Sequence, residues 1–298
     1  MKLDHVYSGG SGPTRDATFV LGYRSPAGVG FSPDRGDSWL VENSGGLCKP
    51  IFKKSGWLTG LWRSPAGVAY FADADGFVYH HAPGGGFPYQ KVPGALMGVW
   101  GLDDTLVFAW GQLDGASPVL YRYDGASWTA MPAPEAPIVA MHGLGADEIF
   151  AVGSGGFIAR WDGAAWVTMT APDRSNLAAV RVVSPEEVYA AGHGGSLRRG
   201  SVDGWSPVTG GGDAISALAH WRGELWVATL GELGLCKLVE GALQSIKPNL
   251  RVTHLDDRGS LLYTTTAKLG ETSDGKRFTS YNVEAFAGAS SSDLPTFR

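Results

Sequence analysis

The chain has 298 residues, 44% of them hydrophobic and 18% charged, with a formal net charge of −5. That supports a large core and excludes both the basic field of a nucleic-acid binder and the long apolar run of a membrane helix. Glycine is the outlier at 44 residues, well above the roughly 7% of an average protein. The glycines recur beside aromatics, so they read as turns between short strands rather than as disorder.

In chain order, the N-terminal MKLDHVYSGG carries no apolar core of a secretory signal, so a cytoplasmic location is expected. The cysteines, Cys48 and Cys236, suit two free thiols in a reducing compartment, a disulfide between units being the other reading. A unit then repeats along the chain. Met141–Met169 (MHGLGADEIFAVGSGGFIARWDGAAWVTM) is matched upstream by Val99–Gly111 with Tyr121–Met131, and downstream by Val180–Val208 and, in decayed form, Leu218–Ile246. Each copy holds four short apolar runs split by Gly, Pro, Asp or Ser clusters, the pattern of a four-stranded antiparallel meander with almost no helix.

An aromatic or apolar anchor sits late in each unit: Trp39, Phe87, Trp128, Trp166, Trp205, Leu243 and Phe278. Seven anchors at intervals of roughly 40 residues match the period of propeller blades. One four-stranded sheet cannot bury both faces alone, and stacking sheets around a ring buries each against its neighbours. The expected fold is therefore all-β, a seven-bladed β-propeller of four-stranded antiparallel blades. It is one domain over residues 1–298, with blades ending near the anchors, the anchors packing between blades, and 284–298 as a tail that closes the ring.

SPDRGDSW (Ser32–Trp39) resembles the Asp-box of bacterial sialidase-like repeats, and TSDGKRF (Thr272–Phe278), YDGASW and WDGAAW are similar turns. The resemblance implies the architecture, with Asp34, Asp124, Asp162 and Asp274 forming turns between third and fourth strands. It does not imply one activity. Sialidases carry an arginine triad and a Tyr–Glu pair, and only Arg181 stands in the inner-strand column here.

Counting eight residues back from the second-strand aromatic gives an inner-strand column of Trp62, Trp100, His142, Arg181, Leu218 and His254. Two residues earlier stands a small-residue column, Gly60, Gly98, Ala140, Ala179, Ser216 and Val252. Period-two alternation places both on one strand face. Trp62, Trp100, His142, Arg181 and His254 are thus expected to ring one end of the central channel, either contacting a ligand or plugging the channel around ordered water. A second candidate surface is the loop face. It comprises the long connection Asn43–Trp57 with Lys53, Lys54 and Trp57, the connector Ala171–Asn176 with Arg174, and the turns holding Trp110, His193 and Glu232.

There is no CxxC, HExxH, HxH or GxSxG, and GSGG and GHGG open no helix. No catalytic residue, metal or cofactor is expected. The leading functional reading is a monomeric scaffold that recognises a protein partner, one version being a toxin-neutralising, immunity-type protein of a bacterial cytoplasm. The alternatives are a glycan-binding, lectin-like propeller and a hydrolase or lyase using His142 or His254 at the channel mouth. Neither a nucleic acid nor a membrane is an expected partner.

Overall fold

The computed structural model describes residues 3–26, 36–210, 212–282 and 296–297. Among them are 29 strands and two 3-10 turns, Ser154–Gly156 and His193–Gly195. No helix among them is long and apolar enough to cross a membrane. Blade 1 is β1 (Leu3–Ser11), β2 (Ala17–Pro26), β3 (Asp37–Ser44) and β4 (Leu47–Ser55); blade 2 is β5 (Leu58–Arg63), β6 (Ala69–Asp73), β7 (Phe77–His81) and β8 (Tyr89–Lys91). Blade 3 is β9 (Ala95–Asp103), β10 (Leu106–Leu113), β11 (Ser117–Tyr123) and β12 (Trp128–Met131); blade 4 is β13 (Ile138–Gly145), β14 (Glu148–Gly153), β15 (Ile158–Trp161) and β16 (Trp166–Met169). Blade 5 is β17 (Leu177–Ser184), β18 (Glu187–Gly192), β19 (Leu197–Ser201) and β20 (Gly204–Thr209); blade 6 is β21 (Ile215–Trp221), β22 (Glu224–Thr229), β23 (Leu235–Val239) and β24 (Ala242–Lys247). Blade 7 is β25 (His254–Asp256), β26 (Leu261–Thr264), β27 (Lys268–Thr272) and β28 (Thr279–Asn282). Every blade pairs its four strands in chain order.

Burial explains the composition of each strand. Second strands such as AYFAD, EIFAVG and EVYAAG are buried almost end to end, because neighbouring blades cover both faces. Fourth strands such as WVTM and ALQSIK have no fully buried position. The core is accordingly seven apolar clusters among the described residues, one per seam between blades. The anchors pack at these seams, each against the preceding blade: Phe87 on blade 1, Trp128 on blade 2, Trp166 on blade 3, Trp205 on blade 4, Leu243 on blade 5 and Phe278 on blade 6. Burying one such side chain is worth roughly 1.5–3 kcal/mol.

Blade 1 departs from the repeat. Trp39 lies in the third strand, not at the fourth, and the blade continues through β4 to Ser55. The Asp-box-like Ser32–Trp39 therefore ends inside the third strand rather than before the fourth, and Asp34 lies outside the described residues. The other three turns behave as expected: Asp124, Asp162 and Asp274 each accept two backbone N–H groups through Oδ1 in the turn before a fourth strand. Those bonds hold all three carboxyls below their usual range.

Blade 7 meets blade 1 directly. Tyr7 N–H donates to Thr266 O at 3.0 Å, Arg15 N–H to Glu271 Oε2 at 2.8 Å, and Ser260 N–H to Pro13 O at 2.8 Å. Of the tail 284–298, β29 (Thr296–Phe297) runs parallel to Lys53–Lys54 at the outer edge of blade 1; the remainder lies outside the described residues. Cys48 and Cys236 are both free thiols, in blades 1 and 6.

Candidate functional site

The first strand of each blade lines a central channel of about 510 Å³. In six blades this strand carries a one-residue bulge, at Ser8, Thr59, Met97, Val139, Ala178 and Ser216. In blade 7 Thr253 holds the matching place, its N–H donating to Thr264 O at 2.7 Å. Just past the bulge stands a crowded level of Gly9, Gly60, Gly98, Ala140, Ala179 and Ala217, with His254 as the seventh. The crowding is backbone against backbone, since a Cβ on Gly60 would meet Gly98 Cα at 2.7 Å.

Two residues further on, the seven first strands carry Ser11, Trp62, Trp100, His142, Arg181, Ala219 and Asp256. The expected ring therefore holds in blades 2 to 5 and shifts in two others. Ala219 replaces Leu218, which is 7% exposed and packs in the blade 5–6 seam. Asp256 replaces His254, which sits one level deeper. The cause is turn length: Arg181 pairs with Tyr189, but Ala219 pairs with Trp226 and Asp256 with Leu262, one and two residues closer in sequence. Ser11, Asp256, Asp257 and Arg258 are the channel residues that counting back from the aromatic misses; the shorter turn in LDDRGS (Leu255–Ser260) is the signal that locates the last three.

At three of the seven seams, between blades 1 and 2, 4 and 5, and 7 and 1, the neighbours are tied at this level by a bond of one kind. The ring residue accepts the backbone N–H that follows the ring position of the next blade. Arg63 N–H donates to Ser11 Oγ at 2.9 Å, Val182 N–H to His142 Nδ1 at 3.2 Å, and Gly12 N–H to Asp256 Oδ2 at 3.0 Å. Because His142 Nδ1 accepts, the ring proton is on Nε2 and the imidazole is neutral. Burial and the nearby Arg181 charge hold its pKa well below the ordinary histidine value.

The ring is two-sided. Blades 2 to 4 present Trp62, Trp100 and His142, with the Trp100 and His142 ring centroids 5.6 Å apart. Blades 5 and 7 present charge, and blade 1 the Ser11 hydroxyl. Arg181 Nη2 reaches over the small Ala219 of blade 6 to Asp257 Oδ2 at 2.6 Å. Arg258 bonds both oxygens of Asp256, Ser11 Oγ at 2.6 Å, and Arg63 O. Burial pushes the Asp257 carboxyl up, and Arg181 offsets this only in part. Burial acts the same way on Asp256, but the bonds from Arg258 outweigh it and hold that carboxyl low. His254, one level deeper than Asp256, is lowered by burial, with Asp256 opposing and Arg258 adding to the shift.

The fold of this ring has solved counterparts. The WD40 β-propeller domain of Doa1 matches with a TM-score of 0.67 at 12% identity, covering 89% of this chain and 91% of that one. U3-55K matches at 0.65 and 10% identity, covering 89% and 91%, and YCF48 bound to D1 peptide at 0.62 and 13%, covering 89% and 92%. The chain folds as a seven-bladed β-propeller. No family model matches it, and no curated protein matches it.

The expected loop face divides. Arg174, His193 and Glu232 are exposed on the face that carries the blade connections. Trp57 is half-buried in the blade 1–2 connection. The other three are not loop residues. Asn43–Trp57 is mostly the β3–β4 turn and the strand β4. Lys53 pairs with Asp37 at 3.0 Å and lies over Trp39. Lys54 is 4% exposed and bonds Asp73 Oδ2 at 2.5 Å and Asp75 Oδ2 at 2.7 Å across the blade 1–2 seam. Trp110 is 5% exposed and lies against Gly98 beside the channel, its indole N–H buried without an acceptor among the described residues. On the connection face, Asp173 anchors the Arg174 loop by binding the fully buried Arg198.

Proposed function

We propose that this propeller is a non-catalytic scaffold that recognises a protein partner at one end of its channel. The observation that carries this reading is the break in the repeat at the ring. The level beside it is Gly or Ala in six blades, whereas the ring itself runs Ser, Trp, Trp, His, Arg, Ala, Asp. Inter-blade packing alone needs no such variety, whereas a surface with an aromatic arc and a charged arc suits specific recognition. Support also comes from the similar fold of YCF48, whose structure holds a bound D1 peptide. Nothing in the ring pairs a free carboxylate with a histidine in acid–base order, because both carboxylates are engaged by arginines.

In its narrower form the partner is a bacterial toxin held inactive, the propeller working as a monomer in the cytoplasm and descending from Asp-box repeats through the turns at Asp124, Asp162 and Asp274. The test is capture of partners on the immobilised full chain, followed by binding of each purified candidate to the parent and to an Arg181→Ala variant. A purified protein that binds the parent and loses affinity in the variant supports the reading. Failure of every purified candidate to bind sinks it, and a bound protein without toxic activity ends the narrower form.

A further inference from the structure

The ring holds more hydrogen-bond donors than the protein itself satisfies. His142 Nδ1 takes the Val182 N–H, so His142 Nε2 carries a proton, and this N–H has no acceptor among the described residues. The indole N–H groups of Trp62 and Trp100 likewise have none. Arg181 spends Nη2 on Asp257, and its Nε is buried without a partner. Trp110 adds another buried, unpartnered N–H beside the same channel. Four consecutive blades therefore supply donors without acceptors, on side chains whose remaining surface is largely aromatic.

The acceptors across the channel are already engaged: Asp256 by Arg258, Ser11 and Gly12, and Asp257 by Arg181 and the His220 N–H at 2.7 Å. What the arc lacks is an acceptor with an apolar body. Charge decides which kind. The two arginines are balanced by the two aspartates, and burial already raises Asp257 despite its partner, so a further negative charge is poorly received. A neutral acceptor is favoured over a carboxylate or phosphate. The channel volume of about 510 Å³ is in the range of ligand pockets, roughly 300–1,000 Å³.

Resting on the reading of a protein-binding scaffold, we infer that the channel mouth on the side of the first-to-second-strand turns takes an uncharged, extended peptide segment. Its backbone carbonyls accept from Trp62, Trp100, His142 and Arg181, and its apolar side chains lie on the two indoles. The opposite, connection face plays no part in this contact.

The experiment selects binders to the full chain from a displayed library of random peptides embedded between flexible flanks, so that no free terminus is offered. Selected peptides are then measured against three variants. Trp100→Phe keeps the ring and removes the indole N–H. His142→Asn keeps an acceptor toward Val182 and removes the Nε2 proton. A connection-face pair, His193→Ala with Glu232→Ala, is the control. Thermal melts within a few degrees of the parent establish that each variant folds, and the indole resonance lost in Trp100→Phe identifies that N–H for titration. The inference expects neutral, apolar sequences, a loss of tenfold or more in either channel variant, no loss in the control, and a downfield shift of the Trp100 indole proton on binding. Acidic sequences, an unshifted Trp100 indole, or affinity lost only in the control would each overturn it. An empty selection also overturns it. A purified partner that binds through the connection face would then leave the broader scaffold reading standing.

Discussion

Lys54 offers the sharpest test of what holds two blades together. Lys54 is 4% exposed, and Asp73 is fully buried. The pair is 2.5 Å apart across the blade 1–2 seam, and Asp73 Oδ2 also accepts from Tyr79 OH at 2.9 Å. Asp73 Oδ1 serves a different purpose, closing its turn by accepting the N–H groups of Asp75 and Phe77. Lys54→Met removes the cation and leaves a buried carboxylate uncompensated, which costs about 3–5 kcal/mol. The second contact, to the exposed Asp75, adds little. In a chain of this size each kcal/mol moves the melting temperature by roughly 2–4 °C, so a fall of about 10 °C is expected. Adding Asp73→Asn keeps the turn acceptor and removes the stranded charge, so the double variant should recover most of the loss. Urea unfolding of the parent, both singles and the double gives the cycle. A Lys54→Met cost under about 1 kcal/mol, or a double variant no more stable than Lys54→Met alone, would refute the reasoning.

Gly60→Ala forces a Cβ onto Gly98 Cα in the neighbouring inner strand, and backbone cannot yield as a side chain tip does. It should cost about 1–3 kcal/mol by urea denaturation, and a neutral result would mean the inner strands are less close than described. Hydrogen bonds from Ser175 and then Arg198 lower the Asp173 carboxyl to about 2. A depressed folded pKa means stability present above the unfolded value, near 3.9, and lost as pH falls toward 2. Asp173→Asn should therefore flatten the decline in urea midpoint between about pH 4 and pH 2, and an unchanged slope would assign that decline to other carboxylates. Deleting Glu284–Arg298 should lower the melting temperature if the tail locks blade 1, and an unaltered melt rejects that role.

The blade rhythm is legible because fully covered second strands must be continuously apolar while the turns between them must be Gly- and Asp-rich. Both requirements follow from stacking and recur every blade. Blade 1 is less legible because its anchor, Trp39, fills the blade 7–1 seam from the third strand, so the same packing demand is met from a different place in the sequence. Four ring residues, Trp62, Trp100, His142 and Arg181, follow from period-two alternation with a constant turn. The other ring positions depend on turn length, which propensity does not encode, and a shift of one or two residues exchanges Leu218 for Ala219 and His254 for Asp256. Lys54 reads as a loop cation in sequence because its partners, the buried Asp73 and the exposed Asp75, belong to the next blade. Long-range pairing of this kind leaves no local mark.

The two-sided ring would also set the orientation of the proposed guest. Seven near-identical spokes would accept a guest in seven equivalent rotational settings, and an occupant spread over them would be held without a defined pose. Trp62 through His142 on one flank, and Arg181 with Asp256 and Asp257 on the other, lift that degeneracy. In the proposed role a guest would have a single azimuth at which both flanks are matched, and would be held facing one fixed direction.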